Sequence, residues 1–346
     1  MTLVMFVLGI LLGAGLWVLA APAFAAPVFE RTNFRGRSLP TAAGVVVVLV
    51  VVLLDAAVAV LVTLGWDPPL AAVPGLRLAT MAALGFGLLG LFDDLGGEGQ
   101  SGGFTGHLKA LAAGRFTTGA IKLFGGGALA VVLVASWRPD HGLGWLLADA
   151  ALVALCANLG NLFDRAPART TKVTLVAFAV LVIVAGADAE LAGVAAIVGA
   201  GAGLIAPDLR ERLMLGDAGA NVLGAAIGLG VVLAGDDSDG VRIGVLVVVA
   251  ALNLISERVS FSKVIRETAP LRAFDMLGRD PVDAPPAPVP PPAPVLREEP
   301  PESSEEPPPA PVLREEPPES SEEPPPAPVL REEPPKPPEE PPAPPA

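Results

Sequence analysis

Asp93 and Asp94 stand side by side in LGFGLLGLFDDLG (84–96), and Asp217 follows a glycine in MLGDAGANVLG (214–224). Each lies at the edge of a long apolar run, where a carboxylate is costly unless solvated, paired or bound to a metal. A few hard oxygen ligands that leave positions open suit Mg²⁺ shared with a phosphate. Lys109, Lys122 and the loop arginines supply the positive charge that a diphosphate requires. Asn158, Asn161 and Asp164 form N-x-x-N-x-x-D, a spacing that on a helix predicts one shared face, available to a sugar or nucleotide. Singly, each element is weak. An Asp-Asp pair at a helix end is usually a solvated loop start, and Asp217 after Gly216 can merely cap a helix. Asp164 with Arg165 can be a surface ion pair, and Lys109 and Arg115 can be ordinary basic loop residues. The glycine-rich stretch 96–106 reads as loop, because no G-K-[ST] follows at Walker spacing. Asp55 falls mid-run, where the default for an acid is functional, though pairing with a neighbouring helix explains it equally well.

The elements that must position these residues are membrane helices. Of 346 residues, 52% are hydrophobic and 17% charged, a balance foreign to water-soluble domains. One cysteine excludes a disulfide scaffold and a cysteine zinc cluster, and two histidines argue against a histidine-rich metal site. No nucleic-acid partner is expected. A bilayer core of ~30 Å takes about 20 apolar residues per helix. Nine runs answer to that, at roughly 1–26, 43–65, 74–92, 119–137, 143–161, 173–187, 190–206, 218–235 and 241–256. They lack the alternation of a membrane barrel strand. The expected fold is therefore an all-α polytopic membrane protein of about nine transmembrane helices. The first run ends in AFAAP, like a signal-peptidase site, but no Lys or Arg precedes it, whereas Arg31, Arg35 and Arg37 follow. That bias predicts a retained helix with its N-terminus outside. Alternating the connections from there puts sixteen basic residues on the cytoplasmic side and only Arg77, Arg138 and Arg242 on the other. The polar motifs all fall on the cytoplasmic side, which predicts an active site facing the cytosol of a plasma-membrane protein.

Residues 1–280 form this body, with a net charge of −2; residues 281–346 form a tail with 15 acids and 4 bases. The tail holds 28 of the 38 prolines and repeats VLREEPP from Val295, Val312 and Val329. Such a segment predicts a disordered, partly polyproline-II arm ending in the cytoplasm. It is a spacer or an arm that docks a cytoplasmic partner.

In order, these motifs resemble the polyprenyl-phosphate N-acetylhexosamine-1-phosphate transferase superfamily, which includes phospho-N-acetylmuramoyl-pentapeptide transferase and the UDP-GlcNAc:undecaprenyl-phosphate transferases. The resemblance rests on Pro40–Gly44, Asp93–Asp94, Lys109, Asn158 to Asp164 and Gly216–Asp217, and it spans about residues 1–280. It implies transfer of a phospho-sugar from a UDP-amino-sugar to a polyprenyl phosphate, with release of UMP, for cell-wall or envelope polysaccharide synthesis. It also implies Mg²⁺ held by Asp217 and Asp93, and catalytic roles for Asp93, Asp94 and Lys109. Thr41, Lys122, Asn158, Asn161 and Asp164 would contact substrate, membrane lipids would surround the protein, and a homodimer is possible. Two features depart from the family: the segment 256–281 lacks its histidine-rich motif and a tenth helix, and Arg165 stands where glycine is common. A degenerate homologue that binds polyprenyl lipid or scaffolds an envelope complex is the alternative. A transporter would need mid-membrane charges and helix repeats; only Asp55 meets that expectation.

Overall fold

Valine, alanine, leucine and glycine runs with few interior helix breakers fold as long helices in a computed structural model that describes residues 1–96, 114, 117–234 and 239–279. The principal helices are α1 (Thr2–Ala20), α2 (Val45–Thr63), α3 (Pro74–Gly96), α4 (Thr118–Trp137), α5 (Leu143–Phe163) and α6 (Arg169–Ala185). They continue with α7 (Ala192–Gly203), α8 (Ile205–Leu209), α9 (Gly216–Leu233), α10 (Asp239–Ser256), α11 (Phe261–Glu267) and α12 (Ala269–Met276). Among the described residues, eight helical segments are long and apolar enough to cross a membrane. The chain is a multi-pass membrane protein. Its flanks carry exposed Leu11, Leu19, Ile183 and Leu254, as a lipid-facing surface requires.

Several boundaries differ from the sequence reading. The first helix stops at Ala20, and Pro22 and Pro27 begin two short 3-10 turns, since proline cannot continue the ladder. The run at 173–187 belongs to α6, whose 17 residues fall short of the eight longer spans. The run at 190–206 is one span of three pieces: a 3-10 turn at Ala189–Leu191, then α7 and α8. Loop one contains a two-stranded antiparallel hairpin, β1 (Glu30–Thr32) and β2 (Ser38–Pro40), with Arg31 opposite Leu39. After α10 the chain forms α11 and α12, where no element was expected. The tail expected at 281–346 lies outside the described residues.

Small residues set the packing. Without water to drive association, membrane helices gain by close van der Waals approach. A Cβ on Gly9 or Gly13 of α1 would lie 2.5 or 2.6 Å from backbone oxygens of α7, and Gly199 and Gly203 of α7 meet α1 in the same way. The most enclosed helix is α9, packed between α3 and α5. A Cβ on Gly224 would stand 2.2 Å from the Cys156 carbonyl oxygen, and one on Gly160 would stand 2.3 Å from that of Ala220. The helix that carries Asp217 is thus held close against the backbone of α5.

Candidate functional site

Four helix ends meet at one end of the bundle: the C-terminal turns of α3 and α5 and the first turns of α4 and α9. Lys122, on the first turns of α4, donates from Nζ to Asp93 Oδ2 at 3.1 Å and also to Asp217 Oδ2. Asn161, near the end of α5, donates from Nδ2 to Asp217 Oδ2 at 3.2 Å. One ammonium therefore stands between two carboxylates, with an amide on the second.

Asp94 does different work from its neighbour. Its Oδ1 accepts from the Asp217 backbone N–H at 2.9 Å and its Oδ2 from that of Ala218 at 3.0 Å. These are among the orphan donors at the start of α9, so Asp94 is an N-terminal cap supplied by another helix, on the positive end of the macrodipole. Gly216, with φ at +71°, makes the entry: a Cβ there would be strained and would lie 2.6 Å from Asp94 Oδ2. Gly90, one turn before Asp94, lets α3 approach until a Cβ would be 2.2 Å from the Asp217 carbonyl oxygen.

The chain before α2 closes the other side. Ala43 and Gly44 donate to the carbonyls of Met214 and Leu215 at 3.2 and 2.8 Å, and Gly44 abuts Gly219 too closely for either to bear a side chain. Thr41 is buried in this segment, its N–H donating to the Phe29 carbonyl at 2.7 Å. From the hairpin, Arg31 Nη2 donates to the Asp94 carbonyl at the end of α3 at 3.1 Å, while Arg35 and Arg37 pair with Glu211. Asn33 Nδ2 joins them at 2.9 Å from Glu211 Oε2. The hairpin is thereby fastened to α3 and to the α8–α9 connection.

The expected shared face of Asn158, Asn161 and Asp164 is not found. Residues three apart on an α-helix drift by about 60° per step, so the outer members of the set diverge by about 120°. Asn158 turns to α10, where its Nδ2 donates to Asn253 Oδ1 at 2.6 Å. Asp164 is the residue just past the helix. Burial pushes its carboxyl well above the ordinary carboxylate range, and the charges of Asp208, Asp217 and Asp94 push the same way against Arg165. Beside it opens a cavity of about 340 Å³, lined by Asn33, Phe34, Asp164, Arg165 and Asp208 among others. Lys109 lies outside the described residues, as do His107 and Arg115. Asp55, half-buried on α2, is remote from this end in sequence and position along its helix.

Mg²⁺ takes octahedral oxygen ligands, commonly one or two carboxylates with water and substrate phosphates. Among the described residues there is no group of three or more His, Cys, Asp or Glu placed to hold a metal ion. With both oxygens of Asp94 engaged by backbone N–H groups, Asp93 and Asp217 remain, and both already point at one cation, the Lys122 ammonium. Two carboxylates that converge on a cation, with the remaining positions left to water and phosphate, fit Mg²⁺.

Compared with protein-family models and with curated proteins, the chain matches none. The hairpin clamp on Glu211, the cap made by Asp94 and the placement of Lys122 between two acids were missed by sequence reasoning. Glu211 is 174 or more residues from Arg35 and Arg37 in the chain, and their complementary charge was the only available signal.

Proposed function

We propose that the chain transfers a phospho-N-acetylhexosamine from a UDP-linked amino sugar to a polyprenyl phosphate, releasing UMP. The reaction would occur at the cytoplasmic face of the plasma membrane, with the N-terminus outside, and would serve envelope polysaccharide or peptidoglycan synthesis. The observation that carries this reading is the meeting of Asp93, Asp217, Asn161 and Lys122 at one end of a lipid-embedded helix bundle. A phosphate anchored in the bilayer and a soluble diphosphate can both reach such a point. In the transfer, an oxygen of the lipid phosphate attacks the phosphorus next to the sugar. The bond to the bridging oxygen breaks, and that oxygen leaves with UMP.

Such chemistry is dominated by positioning and charge neutralisation. Asp93 and Asp217 are the residues that would hold Mg²⁺, which when bound supplies Lewis acidity and offsets diphosphate charge. Lys122 donates hydrogen bonds to the phosphate oxygens brought between those carboxylates, and Asn161 fixes the Asp217 rotamer. Asp94 keeps the start of α9 in place through the Asp217 and Ala218 N–H groups, so that it positions Asp217 rather than accepting a proton. Phe34 and Asn33, in the adjoining cavity, offer a stacking face and hydrogen bonds to the nucleoside, with Asp164 at its inner edge. Lys109 steadies the diphosphate by family resemblance alone.

The Lys122 placement also favours a second reading. A metal position already neutralised by an ammonium suits a degenerate homologue that retains polyprenyl-lipid binding without turnover. Purified full-length protein, undecaprenyl phosphate, Mg²⁺ and either UDP-GlcNAc or UDP-MurNAc-pentapeptide separate the two. Lipid-dependent UMP release that is abolished in Asp217→Ala supports the transferase and selects the sugar. Lipid binding without UMP release from any UDP-sugar supports the scaffold.

A further inference from the structure

A second polar region lies beside the carboxylate centre, and it has the opposite sign. A cavity of about 680 Å³ is lined by Arg165, Arg169, Arg266, Arg272 and Arg279, with Asp275 the one acid among its lining residues. Three of its walls come from the turn after α5, from α11 and from α12, and Ser260 and Ser262 add hydroxyls. Phe261 of α11 stacks on Phe163 of α5 at 5.3 Å between ring centroids, which seats the short helix against the bundle.

Part of this region is fixed in place. Arg169 Nε and Nη2 donate to Asp275 Oδ1 and Oδ2 at 2.8 and 3.0 Å, its Nη1 donates to Ser262 Oγ at 2.8 Å, and Arg279 donates to the same carboxylate. Burial opposes the charge of Asp275, yet the Arg169 hydrogen bonds, with the charges of Arg169, Arg279 and Lys172, hold its carboxyl below the ordinary range. That one acid is thus fully engaged. Among the described residues Arg165, Arg266 and Arg272 form no ion pair with a carboxylate; Arg272 donates only to the Arg266 carbonyl, at 3.0 Å. Three guanidinium groups with no carboxylate partner thus line one cavity beside the paired Arg169 and Arg279. A multiply charged anion would supply the missing counter-charge, and the planar fork of arginine matches phosphate oxygens in pairs.

We propose that this cavity is a binding site for a phosphate-bearing anion of at least two negative charges, distinct from the Asp93–Asp217 centre. The inference does not depend on the transferase reading, because it uses none of that centre's carboxylates. The anion is either a membrane-lipid headgroup or a soluble phosphorylated molecule, and both present the same oxygens to the arginines.

The test uses full-length protein in nanodiscs of phosphatidylcholine, titrated with inorganic pyrophosphate in EDTA and followed by calorimetry. Without divalent metal the acidic centre repels pyrophosphate, so binding reports the arginine cavity. Arg266→Gln/Arg272→Gln should weaken binding at least tenfold, whereas Asp93→Asn/Asp217→Asn should leave it in place. Absence of binding to the unaltered chain overturns the site, and so does equal affinity in the arginine variant. Loss of binding in the Asp93/Asp217 variant alone would move the anion to the carboxylate centre and likewise overturn it. Repeating the titration with cardiolipin, whose headgroup carries two phosphates, in the discs assigns the source. A severalfold loss of pyrophosphate affinity, seen in the unaltered chain and not in the arginine variant, supports occupation by a headgroup; equal affinity in both discs supports a soluble ligand.

Discussion

The two ends of the helix bundle treat charge differently. At the end where α5 and α10 begin, Arg242 Nη1 donates to Asp149 Oδ2 at 2.9 Å, Nη2 meets Asp239, and the guanidinium lies 4.8 Å from the Trp145 ring centroid. Both partners of the first pair are only 2% exposed, and opposite signs alternate within a few ångströms. At the other end the signs are sorted: Asp93 and Asp217 meet at Lys122 with the charges of Asp94, Asp164 and Asp208 nearby, and five arginines line a cavity whose one acid is Asp275. Matched charges complete one another and hold two helices in register. Sorted charges leave surplus of each sign, and the surplus is what a cation or a phosphate relieves. On the proposed reading, the contrast separates polar groups that serve the fold from those that serve a ligand, although all are ionisable residues in an apolar chain.

The largest effect that tests this contrast is expected at Lys122. In Lys122→Met, Asp93 and Asp217 lose their shared counter-charge and face one another unpaired. Removing one partner from a fully buried ionic cluster costs about 3–5 kcal/mol, and this partly buried one costs a share of that. The variant should therefore unfold at lower temperature in EDTA, and millimolar Mg²⁺ should restore more of the loss than it adds to the unaltered chain. A thermal-unfolding series with and without Mg²⁺ reads this directly. If Mg²⁺ stabilises both proteins equally, the ammonium does not stand where a divalent cation would.

At the matched end the same operation should be blind to metal. Asp149→Ala leaves Arg242 buried without its principal partner, at a cost of about 3–5 kcal/mol. The joint change Asp149→Leu/Arg242→Met should recover most of that stability, since apolar groups of similar volume replace a buried pair with little net loss. Mg²⁺ should shift neither protein. A metal-dependent rescue at this end would erase the distinction between the two.

How much of this was legible follows from the range of the interactions. The apolar runs name their helices, because span length and hydropathy are properties of contiguous sequence. The gathering of residues 93, 217 and 161 was accessible only through motif order and sidedness, since nothing local in LFDDLG points to MLGDAG. The division of labour within the Asp pair was invisible. Adjacent helical residues differ by about 100° in direction, so one carboxylate can cap α9 while the next meets Lys122. The arginine cavity was hidden for a similar reason. Positive-inside counting treats Arg165, Arg169, Arg266, Arg272 and Arg279 as a tally on one side of the membrane, whereas α11 and α12 turn them towards one volume.

Burial together with acid excess at the site end also predicts a pH dependence. A raised carboxyl such as Asp164 binds its proton more tightly in the folded chain than in the unfolded one. Its contribution to stability is therefore most favourable below the unfolded carboxylate value, near about 4. It is lost as pH rises through the raised folded value. Asp164→Asn keeps the neutral form at every pH. The variant should unfold at higher temperature than the unaltered chain near neutrality, and the two should converge below about pH 4. A gain that persists in acid would show that the buried charge of Asp164 is not the cause.

The smallest effect is expected at Asn158, and it sharpens where the site stops. The N-x-x-N motif treats Asn158 and Asn161 alike, but Asn161 reaches Asp217 at 3.2 Å and Asn158 reaches Asn253 at 2.6 Å. A hydrogen bond to a charged group contributes about 1.5–3 kcal/mol and one between neutral amides about 1. For the proposed transferase, Asn161→Ala should therefore lower UMP release by at least about tenfold, since about 1.4 kcal/mol is tenfold in rate. Asn158→Ala should lower it by less than about threefold while loosening α5 against α10 by about 1 kcal/mol. Asn253→Ala should reproduce the Asn158 phenotype, because the two amides form one contact between those helices. Equal losses in turnover from Asn158→Ala and Asn161→Ala would mean that α5 rotates in the substrate-bound state and brings both amides to the carboxylates.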